Sequence, residues 1–302
     1  MATFLRELIR PAAELPAADV CLVGLPLDFG TVLEGGRAGA AGAPDAIRRE
    51  LRRYHKTYNL EHNVHLDALR IADAGNLALG HPEHARNHQT IRQELARLLG
   101  QYPRVVVLGG SHDGTYSTVR GLADAHNGQA VSGINLDAHA DVKDKPDIIS
   151  SGTPFGKLLR EGILTGAHFT EIGLHSNLNT WEDIDFLHQQ GAHIVPLAHV
   201  QADGMPEYMQ RALRRLQGPG FVSFDIDGCA EAYAPAVSAP SADGFTPRQA
   251  TEAAFLAGRS EQVQLFEVVE FNPVFDRDNQ TARLAATIIT AFLSGLAASK
   301  QA

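Results

Sequence analysis

Short apolar runs recur along the whole chain and alternate with helical patterns. Eight strand-like runs lie at residues 19–25, 69–74, 104–109, 131–137, 169–174, 192–196, 220–227 and 264–270. The run at 104–109 is nearly continuously apolar, which is typical of a parallel strand covered on both faces. Helical periodicity separates the runs, after Pro44 and near residues 87–99, 115–125, 154–164, 180–190, 206–217, 247–258 and 281–297. Strands that alternate with helices build a parallel sheet. No linker or repeat interrupts the pattern, so we predict a single α/β domain over residues 1–302.

Composition and charge exclude several classes of protein. The chain is 44% hydrophobic, which suits a large core, and its formal net charge of −9 argues against nucleic acid or an anionic membrane as partner. It has no run of about 18 apolar residues, so we predict no membrane span. Residues 1–16 lack a signal-peptide core, and Cys21 and Cys229 are expected to be buried thiols. We therefore expect a cytoplasmic protein.

Polar residues cluster where four of the predicted strands end. Asp137, His139 and Asp141 are spaced two apart after an apolar run, so in an extended segment they point to one side. The other strands that end in such residues contribute His112, Asp225, Asp227 and Glu270. Ligands of open parallel sheets bind beyond the carboxyl ends of the strands. All these side chains are therefore expected to meet at one edge of the sheet.

Each of these residues alone has an ordinary explanation, such as a helix cap, a turn or a surface charge. Together they would bring five carboxylates close to one another, which is severely unfavourable without cations. A pair of divalent ions about 3.5–4 Å apart, holding a bridging hydroxide, removes that conflict. Carboxylate with imidazole suits Mn or another divalent first-row metal. The residues therefore predict a dinuclear metal hydrolase.

Four segments carry a resemblance to a known family. Gly109-Gly110-Ser111-His112, Asp137-Ala-His139-Ala-Asp141, Ser223-Phe-Asp225-Ile-Asp227 and Glu270-Phe-Asn-Pro273 resemble, in the same order, the signatures of the ureohydrolase (arginase/agmatinase) superfamily. The resemblance implies a three-layer α/β/α sandwich with a parallel sheet of about eight strands. It also implies a homo-oligomer and a cofactor of two Mn²⁺ ions.

The resemblance also implies a role for each matching residue. One ion would be held by His112, Asp137, Asp141 and Asp225, and the other by Asp137, His139, Asp225 and Asp227. Asp137 and Asp225 would then bridge the ions. Two of the residues would take part in catalysis: Asp141 would accept a hydrogen bond from the bridging hydroxide, and Glu270 would orient the cationic amidino group of the substrate.

The substrate is predicted from the segments between these motifs. Ser150-Ser151-Gly152-Thr153-Pro154-Phe155 and Tyr233–Pro240 resemble formimidoylglutamases, and the arginase pattern is absent. Formimidoylglutamate carries two carboxylates, so Lys143 is a candidate partner for one of them and Arg37 a weaker one. Ser151, Gly152 and Thr153 complete the predicted substrate-binding set. The predicted reaction converts N-formimidoyl-L-glutamate, a small anionic amidino compound, to L-glutamate and formamide by attack of the bridging hydroxide.

Two alternatives remain open from the sequence. One is an agmatinase- or arginase-like enzyme that releases urea from a guanidino compound. The other is a non-catalytic relative that binds metal, since Ser111, Ala236 and residues 228–231 depart from the superfamily pattern. A dinucleotide-binding protein is disfavoured, because the glycine-rich loop at 30–42 contains no Gly-x-Gly-x-x-Gly between strand and helix.

Several histidines are not assigned to the predicted centre. His55, His62, His65, His81, His84 and His88 are expected to be solvated, because the acids nearest to them in the sequence, Asp67 and Glu83, are isolated. His175, at the end of a predicted strand, is expected to be a packed polar residue rather than a proton shuttle.

Overall fold

A nine-stranded, wholly parallel sheet forms the centre of the computed structural model, which describes residues 3–53 and 55–301. Its strands are β1 (Ile9–Pro11), β2 (Val20–Gly24), β5 (Ile71–Asn76), β6 (Val105–Leu108), β7 (Val131–Leu136), β8 (Leu164–Leu174), β9 (His193–Pro196), β10 (Gly220–Asp225) and β11 (Val263–Val269). Their spatial order is β1-β5-β2-β6-β11-β10-β7-β8-β9. β3 (Tyr58–Asn59) and β4 (Val64–His65) form a separate antiparallel pair.

Helices cover both faces of this sheet. They are α1 (Phe29–Leu33), α2 (Ala43–Arg53), α3 (His84–Gln101), α4 (Gly114–Ala125), α5 (Pro154–Arg160), α6 (Trp181–Gln189), α7 (Leu197–Asp203), α8 (Met205–Arg215), α9 (Pro247–Arg259) and α10 (Gln280–Gln301). Side chains of β6 alternate between the two resulting cores: Val106 packs with α2 and α7–α10, and Val107 with α3–α6. The predicted three-layer α/β/α sandwich is therefore confirmed.

The sheet has one strand more than predicted. β1 pairs in parallel with β5, with Ile9 opposite Ile71 and Pro11 opposite Asp73. The strand is only three residues long and exposes Arg10 and Pro11 at the sheet edge, so it lacks the apolar run by which the other strands are recognised. Two short helices were also not predicted: α1, which lies in the glycine-rich segment, and α7, which follows β9.

Four neighbouring strands, β6, β11, β10 and β7, lie in the middle of the sheet. All four run in the same direction, with Phe224 opposite Leu136 and Asp225 opposite Val269. Their carboxyl ends therefore meet at one edge. Asp225 is the last residue of β10, and the segments that follow the four strands contain the other predicted metal ligands and Glu270.

α10 meets the length and hydropathy that a membrane-crossing helix requires, and it is the one helix among residues 3–53 and 55–301 to do so. In its most apolar window 78% of the residues are buried inside the fold. Residues such as Ile288, Phe292 and Leu293 pack in the core that α10 shares with α9 and α2. α10 is thus placed as a core helix of the sandwich.

Candidate metal centre

His112 lies at the centre of the first group of possible ligands. The fully buried ring follows β6, and its Nδ1 lies 2.8 Å from Asp141 Oδ2, 3.1 Å from Asp225 Oδ2 and 3.4 Å from Asp137 Oδ2. The other ring nitrogen, Nε2, is 3.0 Å from the Ser223 hydroxyl. A hydrogen bond at the far nitrogen is how proteins orient a histidine ligand. Ser223 thus directs Nδ1 toward the three carboxylates.

A second group surrounds His139 and overlaps the first. His139 Nδ1 lies 3.5 Å from Asp137 Oδ1 and 3.4 Å from Asp227 Oδ2. Within each group the ligand atoms lie within 4.8 Å of one another, and Asp137 belongs to both groups. Asp225 was also expected to bridge the two ions, but by this 4.8 Å criterion it belongs only to the first group. The structure thus brings all six predicted ligands into two adjoining sets.

Asp137 and Asp225 reach this position by the same local turn. Oδ1 of Asp137 accepts a hydrogen bond from the backbone N–H of His139, and Oδ1 of Asp225 accepts one from that of Asp227, both at 2.8 Å. An aspartate that accepts from the residue two positions later bends the chain sharply. Oδ2 of each aspartate is left to face His112. Sequence spacing alone predicted the direction of these side chains but not this division of their oxygens.

Burial makes the charges of this centre mutually dependent. It is the main cause of the raised pKa of Asp225, and the carboxylates of Asp227 and Asp137 raise it further. Burial also raises the pKa of Asp227, to about 6. At His139 burial favours the neutral ring, but the carboxylates of Asp227 and Asp137 outweigh it and raise the pKa to about 12. The cluster therefore requires nearby positive charge to remain ionised.

Divalent metal ions fit these residues. His112 Nδ1 and Oδ1 of Asp227 are buried and make no hydrogen bond. Buried polar atoms without partners are costly unless something else binds them. Carboxylate oxygens with one imidazole per group form the hard ligand set that divalent first-row ions accept.

Two of the acidic residues adopt a left-handed backbone conformation. The φ angle is 52° at Asp141 and 64° at Glu270. Such angles are unfavourable for residues other than glycine and are concentrated at functional sites. Glu270 is held there by the Thr31 hydroxyl at 2.9 Å and the His112 backbone N–H at 2.7 Å, which both donate to Oε1. Burial, with a contribution from the Asp227 carboxylate, raises its pKa to about 7.

A cavity of about 320 Å³ opens onto the two ligand groups. Its lining includes three residues of the predicted substrate-binding set, Lys143, Ser151 and Gly152, and also Glu270. Four of the predicted metal ligands also line it, namely His139, Asp141, Asp225 and Asp227. A molecule in this cavity can therefore contact the predicted metal centre and Lys143 together.

The structure directs two predicted substrate-binding residues elsewhere. The Thr153 hydroxyl is fully buried and donates to the Ser150 carbonyl, which closes the turn before α5. The Arg37 guanidinium contacts the Val237 carbonyl and lies 3.9 Å from the centre of the Phe275 ring. Arg37 borders a different cavity. Neither side chain is among those that line the cavity at the candidate centre, and contact with a bound substrate stays a prediction for both.

Glu34 is a residue of the cavity that sequence analysis missed. Its two carboxylate oxygens each accept from a lysine, Lys143 Nζ at 2.7 Å and Lys145 Nζ at 2.7 Å. Burial opposes ionisation of Glu34, but these lysines and Ser150 outweigh it and lower its pKa to about 2. The cluster of Glu34, Lys143 and Lys145 thus has one more ammonium group than carboxylate, and Glu34 and Lys143 line the cavity. Nothing near Glu34 in the sequence indicates its partners.

Two further buried carboxylates lie inside the sheet beneath the centre. Glu171 on β8 accepts from Asn135 at 2.9 Å, and burial raises its pKa well above the ordinary range. Glu267 on β11 accepts from the hydroxyls of Thr115 and Thr118. The sequence signal for each is a charged residue within an otherwise apolar strand. Asn135 also lies 3.3 Å from Asp137 Oδ2, so it links the lower layer to a predicted ligand.

The histidines outside the predicted centre divide into two groups. His62, His65 and His81 are exposed, as expected. His88, in contrast, is only 4% exposed, so the expectation of a solvated side chain is wrong there. It lies with His84 against the buried carboxylate of Asp113, a residue far along the sequence. His175 is partly buried, and its Nε2 has no hydrogen-bond partner.

Comparison with known proteins identifies a matching family and several relatives that are similar over most of the chain. The model of the family described as the arginase family matches residues 18–295. A formimidoylglutamase of Citrobacter koseri is 33% identical over 277 residues, which cover 91% of this chain and 85% of the relative. A guanidinobutyrase of Pseudomonas aeruginosa is 31% identical over 287 residues, with coverage of 93% and 87%. The crystal structure of Trypanosoma cruzi formiminoglutamase with Mn²⁺ superposes with a TM-score of 0.88 at 30% identity, covering 93% of this chain and 94% of that one.

Proposed function

The chain belongs to the arginase family, and on that premise we propose that it is a Mn²⁺-dependent formimidoylglutamase. The reaction is hydrolysis of N-formimidoyl-L-glutamate to L-glutamate and formamide. The observation that carries the proposal is a cavity lined both by members of the two ligand groups and by Lys143, which shares the Glu34 carboxylate with Lys145.

The metal-binding residues in this proposal are the two groups around His112 and His139. When bound, two Mn²⁺ ions supply Lewis acidity and lower the pKa of a water molecule, so that a nucleophile exists near neutral pH. The protein contributes the positions of the ligands. Ser223 fixes the ring of His112, and backbone N–H groups fix Asp137 and Asp225.

Glu270 is the proposed partner of the formimidoyl group, which is a cation at neutral pH. Its Oε1 is already engaged by Thr31 and His112, and the carboxylate lines the cavity beside Asp227. Binding a cation in that position favours the ionised carboxylate, against the effect of burial. A planar amidinium held there by a charge-assisted hydrogen bond presents its carbon toward the ligand groups.

Lys143 and Lys145 are the proposed partners of the glutamate moiety. Together with Glu34 they form a cluster with one more ammonium group than carboxylate, and its member Lys143 lines the cavity, which suits a carboxylate of the substrate. Agmatine, a dication, would be repelled there.

In the overall reaction water adds to the formimidoyl carbon, and the bond from that carbon to the glutamate nitrogen breaks. That nitrogen leaves with the proton it needs to become an ammonium.

A second candidate is hydrolysis of an anionic guanidino compound with release of urea. The similarity to a guanidinobutyrase over 93% of this chain favours it, and so does the ammonium group of Lys143 in the cavity lining. A guanidino acid with one carboxylate satisfies both observations. The two candidates use the same centre and differ in product.

The test compares four substrates with protein reconstituted in Mn²⁺: formimidoylglutamate, 4-guanidinobutyrate, agmatine and arginine. We expect formamide from the first and no urea above background from the others. Urea from 4-guanidinobutyrate at a higher kcat/KM than formamide release would replace the proposed substrate with the second candidate. Bound Mn²⁺ without turnover of any of the four would instead support a non-catalytic relative.

A further inference from the structure

We propose that His84, His88 and Asp113 form a third metal site, one that binds a divalent transition-metal ion outside the candidate dinuclear centre. The three residues come from α3 and from the residue that immediately precedes α4. None of them belongs to the ligand groups around His112 and His139. The inference is therefore independent of the proposed reaction.

The geometry of the three ligand atoms carries the proposal. Nε2 of His84 and Nε2 of His88 are 2.9 Å apart, and they lie 3.0 Å and 3.1 Å from Oδ2 of Asp113. Three ligands at about 2.1 Å from one ion, on one face of an octahedron, are about 3.0 Å apart. Two histidines and one carboxylate in this facial arrangement are a known ligand set for first-row metals.

The Asp113 carboxylate lacks the hydrogen bonds expected of a buried acid. It is fully buried, and neither of its oxygens makes a hydrogen bond of acceptable geometry, even to the nearby imidazoles. Asp113 occupies the N-cap position of α4, where aspartate normally accepts from the first turn, yet its side chain makes no capping bond. A buried carboxylate is costly unless a positive charge faces it. A metal ion facing both imidazoles would offset that cost.

The surroundings of the three residues support a built site. Nδ1 of His88 lies 2.8 Å from the Ser117 hydroxyl, a contact that orients the ring so that Nε2 faces the group. Space for the carboxylate depends on Gly30, because a Cβ there would lie 2.3 Å from Asp113 Oδ1. His88 and Asp113 are buried, and His84 borders a cavity of about 290 Å³ through which an ion can enter.

The ligand set also indicates which ions would bind. Two imidazoles and one carboxylate suit Zn²⁺, Co²⁺, Ni²⁺ or Fe²⁺, whereas the oxygen-rich groups around His112 and His139 are better suited to Mn²⁺. Because Asp113 directly follows His112 in the sequence, an ion held here would also link α3 to the turn that carries a ligand of the dinuclear centre.

A competing arrangement needs no metal. The two imidazoles, which contact each other, can also hold the Asp113 carboxylate between them without an ion. This arrangement and the metal site differ in what the protein retains when it is given an ion. Metal content therefore distinguishes them without reference to activity.

The test is a comparison of cobalt content. Metal-free protein is reconstituted with Co²⁺, passed through a desalting column, and analysed for bound cobalt and for the visible absorption of Co²⁺. We expect wild type to retain one more ion per chain than His84→Ala or Asp113→Asn, and the difference spectrum to show nitrogen and oxygen ligation. His199→Ala, which removes an exposed imidazole on α7, should retain as much cobalt as wild type.

Equal cobalt content in wild type, His84→Ala and Asp113→Asn would overturn the proposal and leave the arrangement without an ion. His84→Gln provides a further variant, because a polar side chain of similar length preserves packing while removing the imidazole. Thermal unfolding with and without Zn²⁺ gives an independent measurement: the Zn²⁺-dependent rise in Tm should be smaller in His84→Gln than in wild type.

Discussion

At the scale of single residues, the role of Lys143 depends on a partner that is distant in sequence. Its ammonium group is half exposed and is paired with Glu34, and Lys145 binds the other oxygen of the same carboxylate. The ion pair thus holds the Lys143 side chain in one position beside the cavity. A lysine in a fixed position can contribute to selection of an anionic substrate, although an exposed ion pair by itself adds little free energy.

Replacing Lys143 with glutamine should weaken binding of the anionic substrate. We expect KM for formimidoylglutamate to rise about fivefold with a small change in kcat, because an exposed charge contact contributes about 1 kcal/mol. Steady-state kinetics of Lys143→Gln measure this, with Lys300→Gln as the control, since Lys300 also pairs with a carboxylate, that of Asp19. An unchanged KM for Lys143→Gln would show that Lys143 does not contact the substrate.

At the scale of elements, the backbones of α9 and α10 approach each other closely where the two helices pack. A Cβ on Gly258 of α9 would lie 2.0 Å from the Phe292 carbonyl oxygen, and a Cβ on Gly295 of α10 would lie 2.0 Å from that of Phe255. Each helix thus needs a glycine where the backbone of the other approaches. The helical patterns predicted both helices. The short spacing between them depends on these two glycines, which taken alone would be expected only to destabilise the helix that contains them.

The substitution Gly295→Ala should separate these helices. The added methyl group meets backbone, which cannot move aside as a side chain can, so we expect a loss of at least about 1–3 kcal/mol in the free energy of unfolding. Gly100→Ala is the matched control: Gly100 also lies in a helix, α3, and a Cβ there meets nothing within 4 Å. Its stability should stay the same or rise slightly. Urea denaturation of both variants measures the difference, and equal stabilities would contradict the close crossing.

Most elements, and the meeting of the predicted metal ligands at one edge of the sheet, could be predicted from the sequence, because both depend on local patterns. Strand ends with Asp137, His139 and Asp141 spaced two apart need only an extended backbone to point together. Contacts that join distant segments could not be predicted in this way. Glu34 meets Lys143 109 residues later, and Asp113 meets His84 and His88 from another element. In both cases the acid that completes the cluster is absent from the local sequence.

At the scale of the whole molecule, stability should depend on pH partly through His55. Its backbone carbonyl accepts from the N–H of Leu5, and burial lowers the pKa of its ring from 6.5 to about 4. Between those values the unfolded chain binds a proton that the folded protein excludes, so the free energy of unfolding falls as pH decreases from 6.5 to 4. Above pH 6.5 this contribution to the pH dependence is absent.

The variant His55→Gln removes this titration. We expect the drop in Tm between pH 7 and pH 5 to be about 2–4 °C smaller in His55→Gln than in wild type, as follows from about 1 kcal/mol in a large domain. The control is His199→Gln, whose exposed ring should leave the drop unchanged. Thermal scans at the two pH values give the comparison, and parallel behaviour of all three proteins would mean that His55 is readily protonated in the fold.

The measurement that tests the central claim most directly is formamide release from formimidoylglutamate as Mn²⁺ is added to metal-free protein, with bound Mn²⁺ determined in the same samples. The two ligand groups that share Asp137 predict a rate that reaches its plateau at two bound ions per chain. Asp137→Asn should bind less Mn²⁺ and lose at least about 100-fold in rate, whereas Asp144→Asn, at an exposed position, should behave as wild type. A plateau at one ion, or full activity in Asp137→Asn, would contradict a dinuclear centre at these residues.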